Sequence, residues 1–547
     1  EIEMSYHDPV YLFLFLPAVL LAYQLTPRKK RWLLLLLAGY LFFWTISGKL
    51  VLYLIGTTLF THYIGLWLEL LKKSCAERLE REKSLNADSN KSSEKNRPET
   101  GEKAVREEYR KKQRLVLTLG VCVLLGVLGC LKYFNFFARN ANLLLEQAGQ
   151  GSLFQVKNLL LPIGISFYTL QAVGYMADVY WEKIPAQRHL GKLALFLGFF
   201  PQIMEGPISM YGQTGEALWK GEDLRGENLS AGSGRILWGL FKKMIVADRL
   251  YVLVKAVFEH YQDYSGSIVA FAAIAYTLQL YMEFSGCMDI VIGSGRLFGV
   301  RLPENFCRPF ASRNAAEFWR RWHITLGAWL KTYVFYPVSV SRLVKKWNRF
   351  GKKHLGKYLT RLGATALCLF PVWLCNGLWH GASWNYIFYG MYYFAILLAG
   401  AALEPARIRA IRFFHINEKA LYWQIPCILK TWVIIFTGEL FFRAKGLKAG
   451  MTMFFSIFRD FRLSVLWDGT LLDFSLDKGD YLVICAGVLI AAGIGIIKER
   501  NLLKGKGLQD MRTPVRWAVY YGLILSVLIF GAYGIGYQQV DLIYAGF

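Results

Sequence analysis

Long apolar runs separated by short basic segments recur from one end of the chain to the other. The first covers Tyr11 to Tyr23 and ends in Gln24-Leu25-Thr26-Pro27 before Arg28-Lys29-Lys30-Arg31. No small-residue cleavage site follows it, so it is expected to stay as a span rather than be removed as a leader. Further spans are expected over Trp32 to Trp44, Leu50 to Leu71 and Leu115 to Leu131. Between the last two, Lys72 to Arg114 is rich in Lys, Glu, Ser and Asn and nearly free of large apolar residues. It reads as a solvated cytoplasmic insertion, helical at its ends; a surface where a partner docks is the sharper alternative. Asn135 to Lys157 is mixed and reads as interfacial.

The middle third is less regular. Apolar runs near Leu159 to Val173, Leu193 to Ile203, Ile236 to Val257 and Ile268 to Met282 are short or carry Gly, Pro or charge. Broken segments at membrane depth are tolerated only where they pack against protein or line a cavity. A tightly packed core with re-entrant pieces is expected there. The next segment, Ser341 to Gly363, has eight Lys and Arg (Arg342, Lys345, Lys346, Arg349, Lys352, Lys353, Lys357, Arg361) and no acidic residue. Basic residues beside spans favour the cytoplasmic side, so this segment is expected inside or along the inner surface as an interfacial helix. From it, Ala364 to Trp379 runs outward and Trp384 to Ala401 returns to Arg407, Arg409 and Arg412. Ile425 to Phe441 goes out, Tyr481 to Ile497 returns to Lys498, Arg500, Lys504 and Lys506, and Trp517 to Tyr533 goes out again. The same rule applied to Arg28–Arg31 puts the N-terminus, like the C-terminus, outside.

Composition agrees with one polytopic, all-α membrane protein. Hydrophobic residues make up 54% of the 547 positions, mean hydropathy is positive, and each helix satisfies its own backbone in lipid. The net charge of +25 does not argue for nucleic acid, because the basic residues cluster in short loops where membrane orientation and anionic headgroups favour them. The nine cysteines are scattered, with no CxxC pair, so neither a disulfide framework nor a zinc site is expected.

Two short stretches break the apolar pattern with chemistry. Glu317-Phe318-Trp319-Arg320-Arg321-Trp322-His323 and Trp379-His380-Gly381 each set a histidine beside tryptophan in apolar chain. A titratable ring at membrane depth is a functional-site hypothesis by default; the competing reading is two core histidines, each satisfied by a backbone carbonyl. Ala364 begins a helix in which His380 stands roughly 16 residues along, ~24 Å at 1.5 Å per residue, so it is expected in the outer half of the membrane. Glu317 to His323 is expected to form two turns of helix with Glu317 and Arg321 on one face. Arg320 and Arg321 suit a phosphate-bearing donor, or else an ion-pair lattice. Upstream, Glu283 and Asp289 need partners, with Arg296, Arg301, Arg308 and Arg313 as candidates. HExxH, Walker and GxSxG patterns are missing from the sequence.

Further stretches appear in a fixed order: Tyr11 to Pro17, Leu161 to Tyr168, Phe199-Phe200-Pro201 with Gly206-Pro207, Phe284-Ser285-Gly286 with Asp289, and Asn305-Phe306 with Arg308-Pro309. Glu317 to His323 and Gly377-Leu378-Trp379-His380-Gly381 follow. Together they resemble the membrane-bound O-acyltransferase superfamily, in its bacterial branch of alginate and peptidoglycan O-acetyltransferase subunits and teichoic-acid D-alanyl transfer proteins. The resemblance spans most of Pro9 to Tyr389. It implies a helical core with re-entrant or interfacial helices around a central tunnel, divided here as N-terminal helices (1–71), the charged insertion (72–114), the catalytic core (115–403) and C-terminal helices with an external tail (404–547). It also implies a bacterial cytoplasmic-membrane protein with His380 as catalytic base and His323 as the second functional histidine. Trp379, Asn376, Arg320, Arg321, Trp322, Ser285 and Asp289 are the candidates for lining the path of the donor.

The implied reaction moves an acyl group, acetyl first of all, from a cytoplasmic thioester to an extracytoplasmic hydroxyl, for modification of an envelope or exported polysaccharide. The donor is acetyl-CoA or a phosphopantetheine-linked carrier protein, without a metal. An extracytoplasmic SGNH-like acyltransferase is the implied partner, beside membrane lipid. The ending Asp541-Leu542-Ile543-Tyr544-Ala545-Gly546-Phe547 resembles an aromatic tail of the family and makes Tyr544 a candidate acyl relay, although Ala545-Gly546 stands where bulkier residues are common. The Lys72 to Arg114 insertion is also longer than in compact members. D-alanyl transfer toward teichoic acid is the alternative within the branch. A non-catalytic polymer transporter is the alternative from another class.

Overall fold

In a computed structural model, residues 5–89, 98–157, 159–500, 507 and 510–533 are described. Among them every regular element is helical. The chain divides into two compact units, one of residues 17–204 and 208–223, the other of Ser5–Leu16, Glu205–Pro207 and the chain from Leu224 onward. Most of α1 (Leu16–Leu25) and all of α2 (Arg31–Ser47), α3 (Val51–Ser89), α4 (Pro98–Gln147), α5 (Ile165–Tyr180), α6 (Leu190–Leu197) and α7 (Tyr211–Lys220) form the first unit. Here α3 and α4 pair along their length and α5 packs on both. Buried Arg31, at the start of α2, bonds the Asp223 carboxylate at 2.6 Å and the Gly221 and Glu222 carbonyls at 3.2 Å, so its charge is matched where the helix emerges.

The second unit holds α8 (Gly226–Leu240), a π-helical segment Phe241–Ala247, α9 (Asp248–Glu259), α10 (Gly266–Leu297), α11 (Ala315–Arg321), α12 (Ile324–Leu330) and α13 (Tyr336–Ser339). It continues with α14 (Arg342–His354), α15 (Gly356–His380), α16 (Trp384–Phe413), α17 (Leu421–Arg443), α18 (Leu447–Arg459), α19 (Lys478–Glu499) and α20 (Thr513–Phe530). Eight helical stretches among the described residues are long and apolar enough to cross a membrane: Arg28–Ser84, Gly101–Gln147, α10, α15, α16, α17, α19 and α20. The first apolar run, Val10–Leu25, is shorter than these.

Several expected boundaries move. The fourth span does not stop at Leu131: α4 continues to Gln147 through much of the segment read as interfacial, and α3 and α4 extend helix far into the charged insertion. The runs near Leu159, Leu193 and Ile236 are not among the eight crossing helices; α5 has 16 residues and α6 eight. Ile236 to Val257 is divided among α8, the π segment and α9, at a place where Lys242, Lys243, Asp248 and Arg249 interrupt the apolar sequence. By contrast, α10 runs past Met282 to Leu297 without a break. The basic stretch from Ser341 contains α14, which the Ser341 hydroxyl caps. Lys345, Lys346, Arg349, Lys352 and Lys353 are exposed on it, while Trp347 donates to the Thr360 carbonyl at the start of α15.

Along this course α10 packs backbone to backbone against α8. A Cβ at Gly239 would lie 2.5 Å from the Gly286 carbonyl oxygen, and one at Gly293 would lie 2.7 Å from the Gly232 carbonyl oxygen. Small residues at one seam let two backbones meet in a membrane protein. The close approach brings Lys242 to Asp289 at 2.5 Å and to the Ser285 hydroxyl at 2.9 Å, with Arg235 on Asp289 at 2.8 Å. Lys243 reaches Asp248 at 2.6 Å and Glu283 at 3.7 Å. The carboxylates of α10 are thus met from α8 and the π segment, not from Arg296, Arg301, Arg308 or Arg313. Arg301, Arg308 and Arg313 follow α10 in the chain, and Arg296, in its last turn, pairs with Glu227 of α8 at 3.6 Å, whereas the faces of α10 carrying Glu283 and Asp289 look back at Arg235 of α8 and at the π segment. Gly239→Ala and Gly286→Ala are each expected to cost about 1–3 kcal/mol through overpacking and to lower the midpoint of thermal unfolding in detergent. Gly226→Ala, with open space around its Cβ, is the control that should leave the midpoint in place.

Candidate active site

The stretch Glu317 to His323 does not form a single helix. Asn314 caps α11 by accepting the Glu317 N–H at 2.8 Å, and Glu317 pairs with Arg321 one turn later at 2.9 Å. The helix then stops: Trp322 is extended and His323 takes a left-handed backbone with φ +45° before α12 begins. A non-glycine residue there is held against its preference, so the surroundings must define it. They do so through Asn305. The Asn305 Oδ1 accepts from the Thr325 N–H at 3.0 Å and the Thr325 hydroxyl at 2.8 Å, and lies 3.3 Å from His323 Nδ1. The Ile324 N–H donates to the Asn305 carbonyl, and the Cys307 N–H to the Arg321 carbonyl.

These bonds set the tautomer. An amide oxygen that accepts the Thr325 N–H can only accept from the ring, so Nδ1 carries the proton and Nε2 presents a lone pair. Buried Nε2 has no hydrogen-bond partner among the described residues. Burial alone pushes the His323 pKa down to about 3, so the ring is neutral.

His380 is the last residue of α15 and is 4% exposed. A Cβ on Gly377 would strike the Tyr386 carbonyl, so this glycine lets α15 and α16 close into a tight hairpin. The Trp379 and Phe442 rings meet the His380 imidazole edge-on at 4.9 Å, and that of Tyr389 does so at 5.7 Å between centroids. The Trp379 ring also lies 5.4 Å from that of His323. The fold therefore joins the two tryptophan–histidine stretches through a single indole. Asn376, one turn before His380 on α15, is buried with its Oδ1 unpartnered among the described residues.

The other expected lining residues separate. Trp322 stacks on Phe318 at 5.4 Å and meets Phe306 edge-on at 5.1 Å, inside an aromatic cluster. Arg321 is held by Glu317 and Glu499, and Glu499 also pairs with Arg308, so this arginine belongs to an ion-pair lattice. Burial pushes the Glu317 pKa up, but the Arg313 N–H and the two arginine charges outweigh it, leaving this carboxyl below the usual range. Arg320 is exposed. Ser285 and Asp289 belong to the Lys242 and Arg235 cluster; Phe284 beside them packs 4.9 Å from the His323 ring. Tyr544 lies outside the described residues. Among those described, no group of three or more His, Cys, Asp or Glu is arranged to hold a metal ion.

Sequence reading missed Glu439, Tyr389 and Asn385. The Tyr389 hydroxyl donates to buried Glu439 at 3.0 Å. The Asn385 amide donates to the Phe441, Phe442 and Ala444 carbonyls at 3.2–3.3 Å, tying the start of α16 to the end of α17. The signal for Glu439 was available, since it is an ionisable residue within the run Ile425 to Phe441, the same criterion that selected the histidines.

Helices long and apolar enough to span a membrane, with two buried histidines beside one tryptophan, define a membrane protein with imidazoles in its packed interior. Comparison with known proteins makes this specific. The model of the membrane-bound O-acyltransferase family matches residues 189–443, which include His323, His380 and Glu439. A probable alginate O-acetylase (AlgI) of Pseudomonas syringae is 32% identical over 85% of this chain and 77% of its own. A peptidoglycan O-acetyltransferase of Helicobacter pylori is 30% identical over 82% of this chain and 78% of its own. A teichoic acid D-alanyltransferase of Bacillus subtilis is 29% identical over 44% of this chain and 59% of its own. The chain belongs to the membrane-bound O-acyltransferase family, and it is a multi-pass membrane enzyme that transfers acyl groups to oxygen.

Asn305→Ala removes the acceptor shared by Thr325 and His323 and leaves buried donors unmade, at a cost of about 2–3 kcal/mol. The expected outcome is a lower unfolding midpoint and acyl transfer reduced about tenfold or more. Thr325→Val, which removes one hydroxyl bond, should show the smaller effect in the same assays.

Proposed function

We propose that this enzyme passes an acetyl group from a cytoplasmic thioester donor to a hydroxyl on the extracytoplasmic side, toward an envelope or exported polysaccharide. The observation that supports this reading most is the burial of His380 at the end of α15, in contact with Trp379 and one indole away from His323. In this mechanism His380 takes the proton of the acceptor hydroxyl as that oxygen attacks the thioester carbonyl. The C–O bond forms, the C–S bond breaks, and the proton leaves with the thiolate. His323, with its proton on Nδ1 and its lone pair on Nε2, orients a donor-side polar group. Asn376, on the His380 face of α15, has an amide oxygen to accept from the acceptor.

Acetyl is preferred over D-alanyl because similarity to the two named O-acetyl-transferring relatives extends over more than four-fifths of the chain, and that to the D-alanyltransferase over less than half. Acetyl-CoA is then the donor, and an SGNH-like enzyme outside the membrane the partner that places the group on the glycan. The protein lies in the bacterial cytoplasmic membrane with both termini outside, which suits Tyr544 as a relay toward that partner.

In vesicles carrying the purified enzyme, His380→Ala is expected to lower acetyl transfer from acetyl-CoA by about 10²–10⁴-fold with the thermal unfolding midpoint unchanged. Wild-type transfer by that variant would remove His380 as the base, and transfer only from a D-alanyl carrier protein would replace the donor. Mass spectrometry of the C-terminal peptide tests the relay separately: with the downstream partner absent, an acetyl adduct on Tyr544 is expected, and its absence there would rule the relay out.

A further inference from the structure

Glu439 is a buried ionisable group that this mechanism leaves without a task. It stands in apolar chain on α17 and is 1% exposed. The Tyr389 hydroxyl donates to its Oε1 at 3.0 Å, whereas its Oε2 has no hydrogen-bond partner among the described residues. Such a group is costly to keep within a membrane span and is by default a functional candidate.

Its surroundings point to one target. Tyr389 meets the His380 imidazole edge-on, with ring centroids 5.7 Å apart. Phe442, a second ring that does so, lies three residues after Glu439 on the same face of α17. Tyr389 and Phe442 also touch each other, with ring centroids 5.0 Å apart. The Tyr389 ring also meets Tyr393 at 5.0 Å and Trp319 at 6.3 Å, both edge-on, and such ring pairs are worth about 0.5–1.5 kcal/mol each beyond the area they bury. The bond to Glu439 is directional and pins the far end of the Tyr389 ring to α17. An imidazole that takes a proton must be held to within about 10–20° of its working orientation by neighbours that are themselves locked.

We propose that Glu439 is a positioning residue of the acyl-transfer site: by accepting the Tyr389 hydroxyl it fixes the Tyr389 ring against His380 and so sets the angle of the imidazole. The inference rests on His380 acting as the base. Glu439 itself forms no covalent bond and exchanges no proton in the reaction.

The test compares E439Q, E439L, Y389F and H380A in the full-length enzyme in vesicles, with acetyl-CoA as donor. Glutamine keeps an acceptor oxygen, so E439Q is expected to stay within about threefold of wild-type kcat. E439L and Y389F should each lower kcat by about ten- to a hundredfold, the scale of a small misplacement at a reacting centre, with the KM for acetyl-CoA unchanged. The double variant E439L/Y389F should be no slower than the slower single one, because both remove the same bond. Wild-type kcat in Y389F would overturn the inference, as would an E439L loss that Y389F adds to in full. If E439L does not fold, Y389F, which removes a single hydroxyl, decides alone. H380A keeps the two readings apart: a fully active H380A removes the base assignment, whereas an inactive H380A with a wild-type Y389F removes only the role of Glu439.

Discussion

A charge inside an apolar helix bundle must be met by atoms of a neighbouring helix, because hydrocarbon offers none. In this protein that requirement governs the contact on which the second unit is assembled. Asp289 on α10 is met by Lys242 and Arg235, and Glu283 by Lys243, all from α8 or the π segment that follows it. Those pairs exist only because Gly232, Gly239, Gly286 and Gly293 let the two backbones touch. A π segment at Phe241–Ala247, where one residue more is fitted into a turn, sets both lysines in the core. Geometry and charge are therefore one constraint here: a side chain at the seam would separate the helices and leave carboxylates and ammonium groups unpaired.

The same α10 supports the candidate site. Phe284, between the carboxylates, packs on the His323 ring, and Met288 lies 3.2 Å from the Asn305 amide. Asn305 in turn holds the left-handed turn on which His323 sits. The strain of that turn is offset by three hydrogen-bond contacts at one amide oxygen, and the result is a neutral imidazole with its Nε2 directed away from that amide. On the other side, α15, α16 and α17 meet through a glycine at the hairpin and through Asn385, which binds three carbonyls at the end of α17. The two halves meet at Trp379. An acyl-transfer enzyme gains from such an arrangement because groups on rigid helices keep their spacing.

Much of this was legible in the sequence wherever the signal is local. Apolar length marked α17, α19 and α20 within a few residues of both ends, since hydropathy follows residue by residue; α15 starts earlier, at Gly356, and α16 ends later, at Phe413, because both helices continue into the basic segments beside the apolar runs. The ordered motifs led to the membrane-bound O-acyltransferase family, which the comparisons bear out. The Glu317–Arg321 pair formed as helical spacing required. Errors fell where a local pattern was overruled by a distant contact. Glu317 to His323 looked helical to its end, yet Asn305 draws the chain out of helix at Trp322. The expected partners of Glu283 and Asp289 stand at the end of α10 or after it, and the observed ones lie before it in the chain. Glu439 passed as part of an apolar span because a single carboxyl barely changes mean hydropathy.

By itself, then, the sequence determined that the chain is a helical membrane protein, where its main spans run, which family it belongs to, and that His323 and His380 stand out against their surroundings. These properties depend on composition and on spacing within a few turns. Only the tertiary structure decided that the two histidines share one indole, that Arg321 is bound up in a lattice while Arg320 faces outward, and that Tyr389 and Glu439 stand behind His380. The reason is physical: such contacts arise from the packing of helices whose residues are far apart in the chain, and no periodicity along the sequence encodes which faces will meet.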